Sequence, residues 1–300
     1  MTTTQVNDTH GPTDAAPARR VPMALVTWAF VLIVMLIVVV LLVVKVTRGS
    51  TIVHPPPVAA APAAVVREAT SVPPAVYDAV GAPELEAPGA VALTGQPPVT
   101  VGGRPAVVYV GAEFCPYCAA QRWALVTALG RFGTFSHLGA TSSSTNEVFP
   151  ATPTFSFDGS SFRSPYVAFV PVEEYGATAA STAPAGFPAL HPPNPLQWAL
   201  LRRYDEAPYV PGSGTLPFVD VDNRLVVSGA GVGFSPGLLQ GVSMGQIATD
   251  LSESSNAVTQ AVLGEANTLS AAICAADGEL PSTVCRSAGV LAGARRLASG

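Results

Sequence analysis

Ala106-Val107-Val108-Tyr109-Val110-Gly111-Ala112-Glu113-Phe114-Cys115-Pro116-Tyr117-Cys118 is the stretch on which the reading of this chain turns. Its first five residues form an unbroken apolar run, the pattern of a strand buried on both faces. From Ala119 to about Phe132, Trp123, Val126 and Leu129 recur at three-residue spacing, which predicts a helix stopped by Gly130 and Gly133, with Gln121, Arg122 and Arg131 largely off its core face. A strand therefore hands a Cys-x-x-Cys pair to a helix N-terminus. There, unsatisfied backbone N–H groups and the positive end of the helix dipole favour a thiolate on the first sulfur. The second cysteine lies one turn on, within reach of the first. A first thiol so placed falls from about 8.5 to between ~3.5 and ~7.5. Cys115 is thus expected to attack disulfides at neutral pH, and Cys118 to resolve the mixed disulfide.

Outward from this motif the pattern is that of an α/β domain. Val91–Thr94, Thr100–Val101 and Tyr166–Val172 read as strands, and Leu216–Val221 with Arg224–Val227 reads as a hairpin turning at Asp222-Asn223. Asn194-Pro195 opens a short helix over Leu196–Leu201. Near the C-terminus Val258, Val262, Leu269 and Ile273 mark one helix, Asp277-Gly278 breaks it, and Pro281 starts a second with Val284, Ala288, Leu291 and Ala292 inward. Cys274 and Cys285 lie near the turn of that hairpin. A structural disulfide between them is the expectation, with free buried thiols or a second redox relay as the alternatives. A four-sulfur zinc site is argued against, because ten residues separate Cys274 from Cys285 and no knuckle forms, so no metal and no cofactor is expected.

The formal charge is −5 and the 15 Lys and Arg are scattered, which leaves no basic stripe and excludes nucleic acid as a partner. Met23 to Val44 is 22 residues without a charge, enough for a helix to span ~30 Å of hydrocarbon at ~1.5 Å per residue. It is read as a membrane anchor held in the lipid bilayer through residues 23–44, rather than as a cleaved signal with its shorter apolar core. Arg19 and Arg20 before it balance Lys45 and Arg48 after it, so charge does not set the orientation. All four cysteines follow the span, which places the large C-terminal portion outside the cytoplasm, where disulfides persist; a cytoplasmic domain tethered from inside is the alternative. Between Ser50 and Pro98 the chain is Pro- and Ala-rich and reads as an extended spacer, with packing on the domain as the alternative for its later part from Pro73-Pro74-Ala75-Val76-Tyr77.

The Ala112-Glu113-Phe114-Cys115-Pro116-Tyr117-Cys118 turn resembles the thioredoxin active site, and Pro217 stands where that superfamily places a cis-proline facing the redox pair. More narrowly, Arg104 through Leu138 and on through Thr152-Pro153-Thr154-Phe155 to Phe169 resembles the domain-of-unknown-function family numbered 929, which is thioredoxin-like and membrane-associated. The resemblance implies a thioredoxin-like α/β fold with insertions, preceded by one transmembrane helix and followed by a C-terminal helical hairpin. It also implies that the backbone of Leu216 and Pro217 positions an incoming peptide against Cys115. The expected organisation is a short N-terminal segment (1–20), the transmembrane helix (21–46), the linker (47–90), the thioredoxin-like domain (91–253) and the hairpin (254–300).

Two departures stand out. Where thioredoxin has a buried Asp that handles the proton of the resolving thiol, this chain has Tyr109. Glu113 is a candidate substitute acting through water, against a simpler reading as a solvated acid. The 98 residues between Cys118 and Pro217 also require insertions, placed at 141–162 and 176–214. In the first, Phe155 and Phe157 alternate as on a strand, either as an extra packed hairpin or as a substrate-binding lip. The function expected is a membrane-anchored, extracytoplasmic thiol–disulfide oxidoreductase acting on protein cysteines, with a membrane redox partner that recycles the pair. The alternative is a redox-inactive binding module in which a Cys115–Cys118 bridge is structural.

Overall fold

A computed structural model of the chain describes Trp28 and residues 32–40, 58–83, 90–180, 186–210 and 212–299. The chain divides into two units, Met1–Val53 and His54–Gly300. In the first, residues 32–40 are helical. In the second, the elements in chain order are β1 (Ala59–Ala60), α1 (Ala63–Thr70), α2 (Pro74–Val80), β2 (Val91–Ala92), β3 (Thr100–Val101), β4 (Arg104–Gly111), α3 (Pro116–Leu129), β5 (Thr134–Ser136), β6 (Gly139–Ser142), β7 (Pro153–Ser156), β8 (Ser161–Arg163), β9 (Ala168–Glu173), α4 (Pro195–Tyr204), β10 (Phe218–Val221), β11 (Leu225–Ser228), α5 (Met244–Asp250), α6 (Ala257–Asp277), α7 (Ser282–Cys285) and α8 (Ala288–Ser299).

The alternation along β4 explains how it is covered. Val107 and Tyr109 enter one apolar cluster with Trp123 of α3 and Leu269 of α6, while Ala106, Val108 and Val110 enter a second with Leu200 and Tyr204 of α4. Successive side chains of a strand point to opposite faces, so a continuous apolar run suits a strand with a helical layer on each side. The main sheet runs β2-β11-β10-β4-β3, with β9 also paired to β4. β4 and β9 are parallel, and the other pairs are antiparallel. The hairpin β10–β11 turns at Asp222 and Asn223, both at positive φ (51° and 54°), the backbone that a two-residue hairpin turn demands.

The architecture is a mixed α/β one with several sheets, which corrects the expectation of a thioredoxin-like fold with insertions. Residues 141–162, read as an insertion, supply strands to two further sheets, β1-β6-β7 and β5-β8. The expected transmembrane helix is also overturned. Among the described residues no helix is long and apolar enough to cross a membrane. Of the run 23–44, Trp28 and the helical residues 32–40 are described. The rest of that run lies outside the described residues. The stretch read as an extended spacer contains α1 and α2, with Val65, Ala69 and Tyr77 buried in the larger cluster. Tyr77 donates its hydroxyl to the Thr127 carbonyl at 2.9 Å and so ties α2 to α3.

Gln121 and Arg122, expected off the core face of α3, are fully buried, as is nearly all of this helix. It packs against α6, α1 and β7, so it has no solvent side to give its polar residues. In the C-terminal region Val290 packs inward and Ala288 and Leu291, both expected inward, are exposed, because α7 and α8 are separate helices and the phase restarts at Ala288.

Candidate functional site

Cys115 is the N-cap of α3. Its backbone is extended (φ −78°, ψ 123°), and its sulfur accepts the Cys118 N–H at 3.2 Å, the bond that a serine or aspartate oxygen ordinarily accepts. Pro116 takes the first helical position, where its missing N–H would have no partner. The Cys115 N–H donates to the Ala112 carbonyl at 3.2 Å, which closes the turn from strand to helix.

The two sulfurs are electrostatically unequal. The hydrogen bond from the Cys118 thiol holds the Cys115 thiol below the ordinary cysteine range, aided by the Cys118 and Tyr117 N–H groups and the Arg122 charge, against burial. Burial pushes Cys118 well up, and the Cys115 charge beside it adds to the effect. This is the signature of one thiolate solvated by its neighbour's proton. Both cysteines are free thiols. Cys115 keeps 6% of its surface exposed and Cys118 none.

The structure brings Leu216 and Pro217 to this pair. The Cys115 thiol donates to the Leu216 carbonyl oxygen at 3.5 Å, and the Leu216–Pro217 bond is cis. Leu216 also borders a cavity of about 440 Å³ lined by Tyr175, Trp198, Glu174 and Leu201. Aromatic rings fence the turn on two sides. Phe114 stacks on Phe187 with centroids 4.1 Å apart, and Tyr117 meets Phe149 edge-on at 6.0 Å. Phe149 and Phe187 come from the two segments read as insertions.

Glu113 is buried, which removes its reading as a solvated acid. The Ser156 hydroxyl donates to its carboxylate at 2.6 Å, yet burial raises its pKa, with the Ser156 bond and the Arg122 charge opposing. Tyr109 is fully buried, and its hydroxyl has no hydrogen-bond partner among the described residues. Burial pushes that phenol well above its ordinary value, so it cannot serve as a base near neutral pH. Its ring fills the space beside Gly111, where a Cβ would collide with the hydroxyl, which is why the strand ends in glycine.

Arg122 and Glu173 are the residues that the sequence reading missed. The Arg122 Nε and Nη2 donate to the two Glu173 oxygens at 2.8 and 2.7 Å, and Nη2 also reaches the Ala112 carbonyl at 2.7 Å. Both side chains have no exposure. Arg122 follows Cys118 by four residues, so the two share a helix face, and this spacing is a signal that could have found it. The ion pair joins α3 to the end of β9, a contact with no local trace in the sequence.

Cys274 and Cys285 form the expected structural disulfide, which joins the last turn of α6 to α7. Among the described residues no group of three or more His, Cys, Asp or Glu is placed to hold a metal ion. No curated protein and no solved structure matches the chain. Residues 93–182, the stretch that holds β4, the cysteine pair, α3 and β9, match the family model described as Domain of unknown function (DUF929).

Proposed function

We propose that the chain is a thiol–disulfide oxidoreductase acting on protein cysteines, and that its chemistry is thioredoxin-like. The observation that carries this reading is the Cys115 sulfur capping α3, where it accepts a backbone N–H at 3.2 Å and is held toward the thiolate. In the reducing direction, the Cys115 thiolate attacks one sulfur of a substrate disulfide, forming a Cys115–substrate disulfide and expelling the other substrate sulfur as a thiolate that takes a proton from water. Cys118 then attacks the Cys115 sulfur. The Cys115–Cys118 disulfide forms, the substrate sulfur departs, and the Cys118 proton ends on it. Two electrons pass from the pair to the substrate, and the reverse sequence oxidises a dithiol.

When Cys115 ionises it no longer donates to the Leu216 carbonyl, which is then free to accept an N–H of an extended substrate backbone. This gives Leu216 and Pro217 their positioning role. The Cys274–Cys285 disulfide supports a working place outside the cytoplasm, where such bonds persist. Recycling of the pair is assigned to a separate redox protein, since Cys274 and Cys285 are bonded to each other.

Trapping tests the reading. Cys118→Ser should accumulate mixed disulfides with partner proteins through Cys115, visible as reducible higher-mass species, and Cys115→Ser should abolish them. If Cys118→Ser traps nothing under conditions that oxidise the parent chain, the redox-inactive binding module is the better account.

A further inference from the structure

The reaction requires Cys118 to ionise in a place from which water is excluded, and Tyr109 and Glu113 do not meet that need. Tyr109 is too weak an acid, and Glu113 is turned to Ser156. Arg122 is built differently. Three of its contacts fix it, two to Glu173 and one to the Ala112 carbonyl, which also accepts the Cys115 N–H. Its remaining nitrogen, Nη1, is buried and has no partner among the described residues. A buried guanidinium donor left unpaired is unfavourable, and it becomes favourable when a negative charge forms beside it.

We propose that Arg122 is a positioning residue of the redox site: pinned by Glu173, it fixes the Ala112–Cys115 turn and supplies the standing positive charge that meets the Cys118 sulfur when that sulfur ionises to close the ring. This inference rests on the exchange reading above. The charged and titratable groups that act on Cys118 are Cys115 at the N-cap, Arg122 on α3 and Tyr109 on β4, while Glu173 on β9 and Glu113 on the turn act on Arg122. The influence of Arg122 on both cysteines has the sign that the geometry requires, favouring the thiolate.

The pair predicts effects of opposite sign, which a scaffold role does not. Removing the cation in Arg122→Met should disfavour the Cys118 thiolate. Removing the anion in Glu173→Gln leaves the cation uncompensated and should favour it. The measurement is rapid mixing of the reduced full chain with glutathione disulfide across pH. The attack phase grows with disulfide concentration, and the plateau rate at high concentration reports ring closure. Arg122→Met should slow the plateau about tenfold at pH 7 and raise its inflection by about one pH unit. Glu173→Gln should speed it and lower the inflection, and Arg122→Lys should hold the inflection near that of the parent chain.

Inflections that move in one direction in both variants, or in neither, overturn the assignment of Arg122. Should Arg122→Met fail to fold, the Glu173→Gln and Arg122→Lys profiles decide the question alone. A parent chain with no attack phase at all would instead overturn the exchange reading.

Discussion

At Cys115 a sulfur does what a serine or aspartate oxygen does at most helix starts, and the change of atom converts a structural cap into a nucleophile. The cap was legible because it is local: an apolar strand, a break and two cysteines one turn apart, though the helix begins at Pro116 rather than at the Ala119 expected. What could not be read was which buried groups surround it, since Glu113, Ser156 and Glu173 reach the turn from three separate segments. A second buried acid belongs to this scale. Asp220 has no exposure and accepts the Asn223 N–H at 3.0 Å, and its other oxygen has no partner among the described residues. Burial pushes its pKa from 3.8 to about 7, with the Asn223 N–H opposing and the Asp222 charge adding. In the unfolded chain it is ionised above about pH 4, so between ~4 and ~7 the folded state holds the extra proton and stability falls as pH rises. The loss is on the order of 4 kcal/mol across that window and complete above it. Asp220→Asn should therefore stabilise the chain in urea unfolding at pH 8 and change little at pH 4, and an equal effect at both pH values would refute this linkage.

Among the elements, those whose signals are local match their sequence reading best. Asn194 and Gln197 form a full capping box on α4, with Asn194 Oδ1 accepting the Gln197 N–H at 3.0 Å and Gln197 Oε1 accepting the Asn194 N–H at 2.8 Å. Gly278, at φ 79°, ends α6 where Asp277-Gly278 predicted a stop. The reading of α3 failed on its polar residues because a wheel built on hydrophobic spacing assumes a solvent side. A helix enclosed by other elements has none, and its charge must find an internal partner, as Arg122 does in Glu173. The α6–α7 corner depends on its covalent bond. Cys274 and Cys285 are 11 residues apart, and a loop of that size should contribute about 3 kcal/mol. The double variant Cys274→Ser, Cys285→Ser should lose about that much in denaturant titration. A change below about 0.5 kcal/mol would mean that packing alone holds the corner.

For the whole molecule, one helical layer on each face of a mixed sheet places the cysteine pair at the C-terminal end of β4, between the hairpin that carries Leu216 and the aromatic rings of two added segments. The central strands around the motif are marked in the sequence by apolar runs and turn residues, while their order in the sheet is not. The small sheets do not, because β1 pairs with β6 and β5 with β8 only through long-range contacts, and strands of two to four residues carry too little periodicity to announce a partner. The apolar run at 23–44 satisfies a length rule for a membrane span that no described helix meets. What the assembly leaves accessible to chemistry is a single sulfur: Cys118 is fully buried, Cys274 and Cys285 are bonded, and Cys115 alone among the cysteines combines some exposure with an acid-shifted thiol. Site-resolved alkylation of the reduced chain by iodoacetamide as a function of pH tests this most directly. Modification should fall on Cys115 with an inflection below the ~8.5 of an ordinary cysteine. An inflection at or above that value, or a Cys115 that resists alkylation while the chain is folded, would contradict the account.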